Sequence, residues 1–129
     1  MASAITTPGE ALGKVFHEPN RLAIMSALCA APGGLAFNDL KAACKLTDGN
    51  LSRHLAVLEE AGAVRARKTF VGVKPRTTVF ITEVGLDRFN DYLTALEEVL
   101  EQARRAQAAL DVRTKIKMAR PAGGVGVAI

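Results

Sequence analysis

At 129 residues, with 49% hydrophobic and 5% aromatic content and no tryptophan, the chain is long enough for one compact domain with an aliphatic core, and short for two. Its 17 basic and 13 acidic residues leave a net charge of +4, and no run approaches the roughly 18 uninterrupted apolar residues of a membrane-spanning helix. The opening MASAITTPGE has neither the charged n-region nor the apolar h-region of a signal peptide, so residence in the cytoplasm is the expectation.

Leu12, Val15 and Phe16 predict a first helix from about Pro8 to His17, with Pro8 in the first turn and Glu18-Pro19 as its break. A second helix, NRLAIMSALCAA, opens on Asn20 as N-cap and ends at Pro32-Gly33-Gly34. Leu22, Met25 and Cys29 on one side and Ile24 and Leu28 on the other suit a helix at the centre of a domain. A short third helix near Phe37 to Cys44 turns Leu40 and Ala43 inward. After a turn at Lys45-Leu46, Thr47 is the N-cap of a fourth helix, TDGNLSRHLAVLEEAG, which Gly62 stops. Its Leu51, Leu55 and Leu58, at i, i+4 and i+7, form one buried stripe.

Beyond Gly62 the pattern changes to strands. AVRARKTF and RTTVFIT are rich in alternating and β-branched residues, and VGVKP between them reads as a loop of about five residues with Lys74-Pro75-Arg76 at the tip. Thr82 then caps a long helix reaching at least Ala109. Residues 1–111 are expected to form a single domain that includes the helix at 83–111. Residues 112–129 read as a basic, Gly-rich and poorly ordered tail. The fold class is mainly α with a small β-hairpin: a winged helix-turn-helix with added N- and C-terminal dimerisation helices.

With the leucine stripe of the fourth helix turned inward, its first two turns present Gly49 and Arg53 outward, flanked by Asn50, Ser52 and Ala56. These are small, amide-bearing or basic groups, suited to a helix whose N-terminal half enters the major groove of DNA. Arg53 can pair bidentately with guanine and Asn50 with adenine, while Ser52 can donate to a phosphate or a base edge. Thr47 and Asp48 open the helix, and Asp48 suits its dipole or accepts from cytosine. His54 lies beside the stripe, where local packing is the first reading and a phosphate contact the second. The strands add Arg65, Arg67, Lys68, Lys74 and Arg76 with no acid from Ala61 to Thr82, as a phosphate partner requires. Protection of an exposed sheet edge is the other use of such charges. By contrast, residues 83–111 carry three basic and seven acidic groups.

Other chemistries find little material. Two cysteines (Cys29, Cys44) without C-x-x-C spacing and two histidines suggest core thiols, with no metal site and no cofactor. There is no Ser/His/Asp set, apolar carboxylate pair or phosphate-cradling glycine motif, so an enzyme is not expected. A winged helix serving as a protein-interaction module is the alternative. It would call for apolar residues on the outer face of the Thr47 helix and a hairpin of mixed charge.

The segments HEPNRLAIMSAL, FNDLKAACKLTDGNLSRHLAVLEEAGAVRARK and RTTVFITEVGLDRF resemble stand-alone winged-helix regulators related to the MarR and ArsR families, over about residues 17–96. The resemblance implies a homodimer that binds double-stranded operator DNA through Thr47–Gly62, with a wing at Val64–Thr82. Metal-sensing ArsR-type proteins carry paired thiolates on the third helix, whereas only Cys44 lies there, and no effector pocket is legible. Independently, Leu86, Phe89, Leu93, Leu96 and Leu100 recur at spacings of 3 and 4. That is a heptad seam expected to face a second copy, joined by Leu12 and Phe16.

Overall fold

The computed structural model describes residues 13–119; the first part of the helix expected from Pro8 to His17, with Leu12, and the end of the tail from residue 120 lie outside the described residues. The elements run α1 (Pro19–Cys29), β1 (Leu35–Ala36), α2 (Phe37–Cys44), α3 (Asp48–Glu60), β2 (Val64–Val71), β3 (Lys74–Ile81) and α4 (Glu83–Ala119). They fall into two compact units, one ending at Ala95 and the other beginning at Leu96, where a single domain through residue 111 was expected.

Residues 13–17 form no helix but a bend at 14–16, and Gly13 takes a left-handed φ of 58° that interrupts a helical run. The cap of α1 is Glu18 and not Asn20: its carboxylate accepts from the Arg21 amide at 2.8 Å, and Pro19 fills the first turn, where its missing N–H costs nothing. Burial tends to raise the Glu18 carboxyl. The Arg21 amide and neighbouring positive charge outweigh that and hold it below the ordinary carboxylate range.

Between α2 and α3 the chain turns at Lys45, a non-glycine residue at φ 57°. Its amide and that of Leu46 bond the carbonyls of Ala42 and Lys41, closing the end of α2. The end of α3 uses the same arrangement at Gly62, φ 77°, with the amides of Gly62 and Ala63 on the carbonyls of Glu59 and Leu58.

The sheet is antiparallel in the order β1-β3-β2. The hairpin departs from the expected five-residue loop: Val71 pairs with Lys74, so only Gly72 and Val73 connect the strands. Gly72, at φ 65°, supplies the positive φ that so short a connection needs. Pro75 is tolerated in β3 because β1 pairs only with Thr78 and Val79, leaving the outer edge at Pro75 without a strand. The short β1 was not anticipated.

Ile24, Met25, Leu28, Leu40, Leu51, Leu58 and Val79 are wholly buried, an aliphatic centre as expected. Beside it lies an aromatic cluster that was not. Phe16 meets Phe89 edge-on at 5.4 Å between centroids, and Tyr92 stacks on Phe89 at 5.9 Å. Cys29 is exposed and Cys44 half-buried, so Cys29 is not a core thiol. It sits in the last turn of α1. Burial raises both thiols above their usual range, which favours the unreactive protonated form. Ala43 is likewise exposed.

The α4 helix continues to Ala119, through eight residues expected from composition to be poorly ordered. VRTKIKMA contains no glycine or proline, and the first helix-stopping residue after it is Pro121. At its other end, α4 is fastened to the α3–β2 turn. The Thr82 amide donates to the Ala63 carbonyl at 3.0 Å, and its hydroxyl donates to the Gly62 carbonyl at 2.6 Å while accepting from the Gly85 amide at 2.9 Å. A Cβ on Gly85 would overlap the Ala63 carbonyl oxygen. Helix propensity alone predicts that Gly85→Ala gains up to about 1 kcal/mol. The expected result is the opposite, a loss of about 1–3 kcal/mol from overpacking against backbone, read as a lower urea midpoint at fixed protein concentration.

Candidate nucleic-acid interface

The α3 helix is built to hold its N-terminal half outward. Leu51, Leu55 and Leu58 are buried, while Gly49, Ser52, Arg53 and Ala56 are exposed. The Thr47 hydroxyl accepts from the Asn50 amide at 3.1 Å, satisfying one of the first-turn donors. Asp48 pairs with Lys41 of α2 at 2.7 Å, which ties the two helices across their turn and commits that carboxylate to a protein partner.

The two residues expected to read bases bond each other. Arg53 Nη2 donates to Asn50 Oδ1 at 2.8 Å, one helical turn apart. The Asn50 carbonyl oxygen thus aims the guanidinium, and the remaining donors of Arg53 stay exposed.

His54 belongs to the inner face. It is 7% exposed, and its Nδ1 lies 3.2 Å from Arg21 Nη1 and 3.9 Å from Glu18 Oε1. Because Arg21 can only donate, Nδ1 accepts in this arrangement and the ring proton sits on Nε2. His54 is therefore withdrawn from the set of DNA-contacting residues; the 100° step from Leu51 and Leu55 carries it to the α1 side. Arg21 itself is held by the carbonyls of Val15 and Lys14, at 2.6 and 3.1 Å.

The register of the hairpin sorts its charges. With side chains alternating along each strand, Arg65, Arg67, Thr69 and Val71 share a face with their cross-strand partners Phe80, Thr78, Arg76 and Lys74. Four of the five wing cations thus lie on one face, and Lys68 lies on the other. Arg67 stacks over the Phe80 ring at 5.4 Å, which limits its wandering while leaving it exposed. The tip is Gly72-Val73, so Lys74 and Arg76 are rungs of the ladder rather than the point of the wing.

The residues that orient this surface are not legible in the sequence. Arg88 of α4 donates to the Ala61 carbonyl at 2.7 Å, at the C-terminal end of α3, and covers the Phe16 ring at 5.7 Å. Arg21 acts on His54 from behind. Neither arginine belongs to a local pattern, because its partners lie 27 and 33 residues away.

The expected dimer residues divide. Phe16 and Phe89 are 4% and 2% exposed within one chain and fill its own core, because residues 13–17 fold back over α4. They are not available to a second copy. Leu86 and Leu100 are 40% and 46% exposed, and Leu93 and Leu96 are half-buried.

Comparison with known proteins agrees with this arrangement. The chain matches the winged helix DNA-binding domain over residues 20–100. It is 36% identical over 80 residues to an uncharacterized protein of Methanocaldococcus jannaschii, a match that covers 62% of this chain and 86% of that one. A transcriptional regulator homologue from Pyrococcus horikoshii superposes with a TM-score of 0.68 at 31% identity, covering 74% of this chain and 94% of the other. A MarR-family transcriptional regulator from Silicibacter pomeroyi shares the fold at a TM-score of 0.54 and 19% identity, over 79% of this chain and 71% of its own. With the helix-turn-helix at α2–α3, the wing at β2–β3 and the match across all of them, the chain belongs to the winged helix DNA-binding domain family.

Proposed function

We propose that the protein is a homodimeric transcriptional regulator of the cytoplasm. In this reading it binds a pseudo-palindromic operator through α3 in the major groove and the β2–β3 wing on the adjoining backbone. The observation that carries the proposal is the division of α3. Its inner face is apolar and closed by His54, whereas its outer N-terminal half offers only Gly49, Ser52 and an Arg53 aimed by Asn50. Glycine at the contact point admits close approach, and the arginine fork matches guanine O6 and N7. Asn50, with its carbonyl oxygen engaged by Arg53, acts here as a positioning residue more than as a reader of adenine.

The basic wing face supplies the sequence-independent part of the affinity. The alternative of a protein-interaction module expected apolar residues on the outer face of α3 and a wing of mixed charge. Val57, 37% exposed, is the one large apolar side chain there, and no acid lies between Ala61 and Thr82.

For the dimer, the proposal retains Leu86, Leu93, Leu96 and Leu100, whose 3-and-4 spacing continues along α4. A two-fold seam there would cover the leucines that one chain leaves exposed and would present two copies of α3. Half-sites are then expected about 34–36 Å apart, one turn of DNA.

Three measurements test these assignments on a site selected from random duplexes. Arg53→Ala is expected to cost about 1–3 kcal/mol in a gel-shift titration and to relax preference at one base position; wild-type affinity and preference would refute the reading face. Lys74→Gln with Arg76→Gln is expected to weaken specific and nonspecific binding alike. The slope of log K against log salt should become shallower by about two per dimer for every phosphate that each protomer ceases to neutralise, and an unchanged slope would remove these residues from the backbone. Leu100→Asp, at a position exposed in the single chain, should leave the secondary structure intact. Sedimentation should then show a monomer, because the seam would bury an unpaired carboxylate; a mutant that stays dimeric excludes this seam.

A further inference from the structure

The wing ends in an apolar blade. Phe70, Val71 and Val73 are 66%, 58% and 94% exposed, and Pro75, the cross-strand partner of Phe70, is exposed as well. The two-residue connection at Gly72-Val73 makes this the narrowest point of the hairpin, and the tip glycine adds no side chain. Contiguous apolar surface with a charged rim marks an interaction site more often than scattered exposed residues do. Here the rim has one sign: Lys68 lies on the same strand face as Phe70, and Lys74 stands opposite Val71.

That rim decides the occupant. A second copy of the blade would bring like charges together. Duplex DNA offers phosphates to the rim and, between them, the sugar and base edges of a minor groove about 6 Å wide. Two strands lie about 4.8 Å apart between backbones, so the blade can enter this groove only by its tip, where Val73 stands in the turn and Phe70, one rung behind the Val71–Lys74 pair, is the largest apolar side chain. Apolar side chains delivered in this way pry a base step open at an energetic cost that depends on the step.

Building on the DNA-binding function proposed for α3 and the wing, we propose that Phe70, supported by Val73, is a minor-groove wedge that opens a single base step beside each half-site. The protein would thereby read the deformability of DNA that α3 does not touch. Pyrimidine–purine steps, which open most readily, are the ones it should prefer.

The test uses the full chain and duplexes recovered by selection, with 2-aminopurine placed at successive steps flanking each half-site. Wild-type protein should raise 2-aminopurine fluorescence at one step per flank and favour TA or CA/TG there. Phe70→Ala should abolish that rise, flatten the step preference and weaken the best site about tenfold, with the salt slope unchanged. Phe70→Leu should restore most of the signal. Wild-type binding without unstacking, or a Phe70→Ala protein that keeps signal and preference, would overturn the wedge and leave the DNA-binding reading standing. Self-association without DNA that Phe70→Ala abolishes would overturn it in favour of a contact between copies. If wild-type protein selects no duplex, the wedge and the regulator reading fall together.

Discussion

The placement of α3 and the wing depends on one close backbone approach, that of the first turn of α4 to the turn leaving α3. Three successive carbonyls there, at Ala61, Gly62 and Ala63, receive donors from Arg88 and Thr82. The Ala61 carbonyl is one that the end of α3 leaves without an intrahelical partner, and all three lie at the negative end of the helix dipole, where the Arg88 cation is favourable. The contact is possible only because position 85 has no Cβ. It sets the exit of α3, the start of β2 and the start of α4 in a single arrangement, so α3 and the wing are placed together.

The opposite end of α3 is restrained by different chemistry. The Thr47 cap and the Asp48–Lys41 pair fix its entry, and the Arg21–His54 contact supports it from behind. Arg21 draws its own orientation from the carbonyls of Lys14 and Val15, so the segment preceding α1 is linked through one guanidinium to the inner face of α3. The groups left without such duties are Gly49, Ser52 and the remaining donors of Arg53, the ones that the proposed function assigns to DNA. Rigid support behind an exposed polar face reduces the ordering that binding must otherwise supply.

Electrostatics follow the same division. The wing concentrates its cations on one face, with a ring beneath one of them and no acid within Ala61–Thr82 itself. Glu59, at the far end of α3, approaches the Ala66 amide at 3.4 Å, so this acid stands at the base of the wing and away from the helix N-terminus. An approaching polyanion therefore meets positive charge at the wing and the positive dipole end of α3.

Much of this was legible in the sequence, because it depends on neighbours a few residues apart. The leucine stripe at 51, 55 and 58, the Thr47 cap, the Gly62 stop and the one-signed hairpin charge are local patterns, and they led to the winged helix and to Arg53. Tertiary structure alone decided the rest. Phe89 carries the same 3-and-4 spacing whether it faces a second copy or its own core, and only the return of residues 13–17 across α4 set it and Phe16 against each other. Periodicity allowed His54 either side of the stripe, and its partner Arg21 chose the inner one. The two-residue turn at Gly72-Val73 was hidden because Pro75 reads locally as a loop residue, and it is a strand residue only where no third strand needs its N–H. Periodicity and capping act within a turn or two of chain, whereas burial, register and the clamps at Arg21, Gly85 and Arg88 join residues far apart in sequence that only folding brings together.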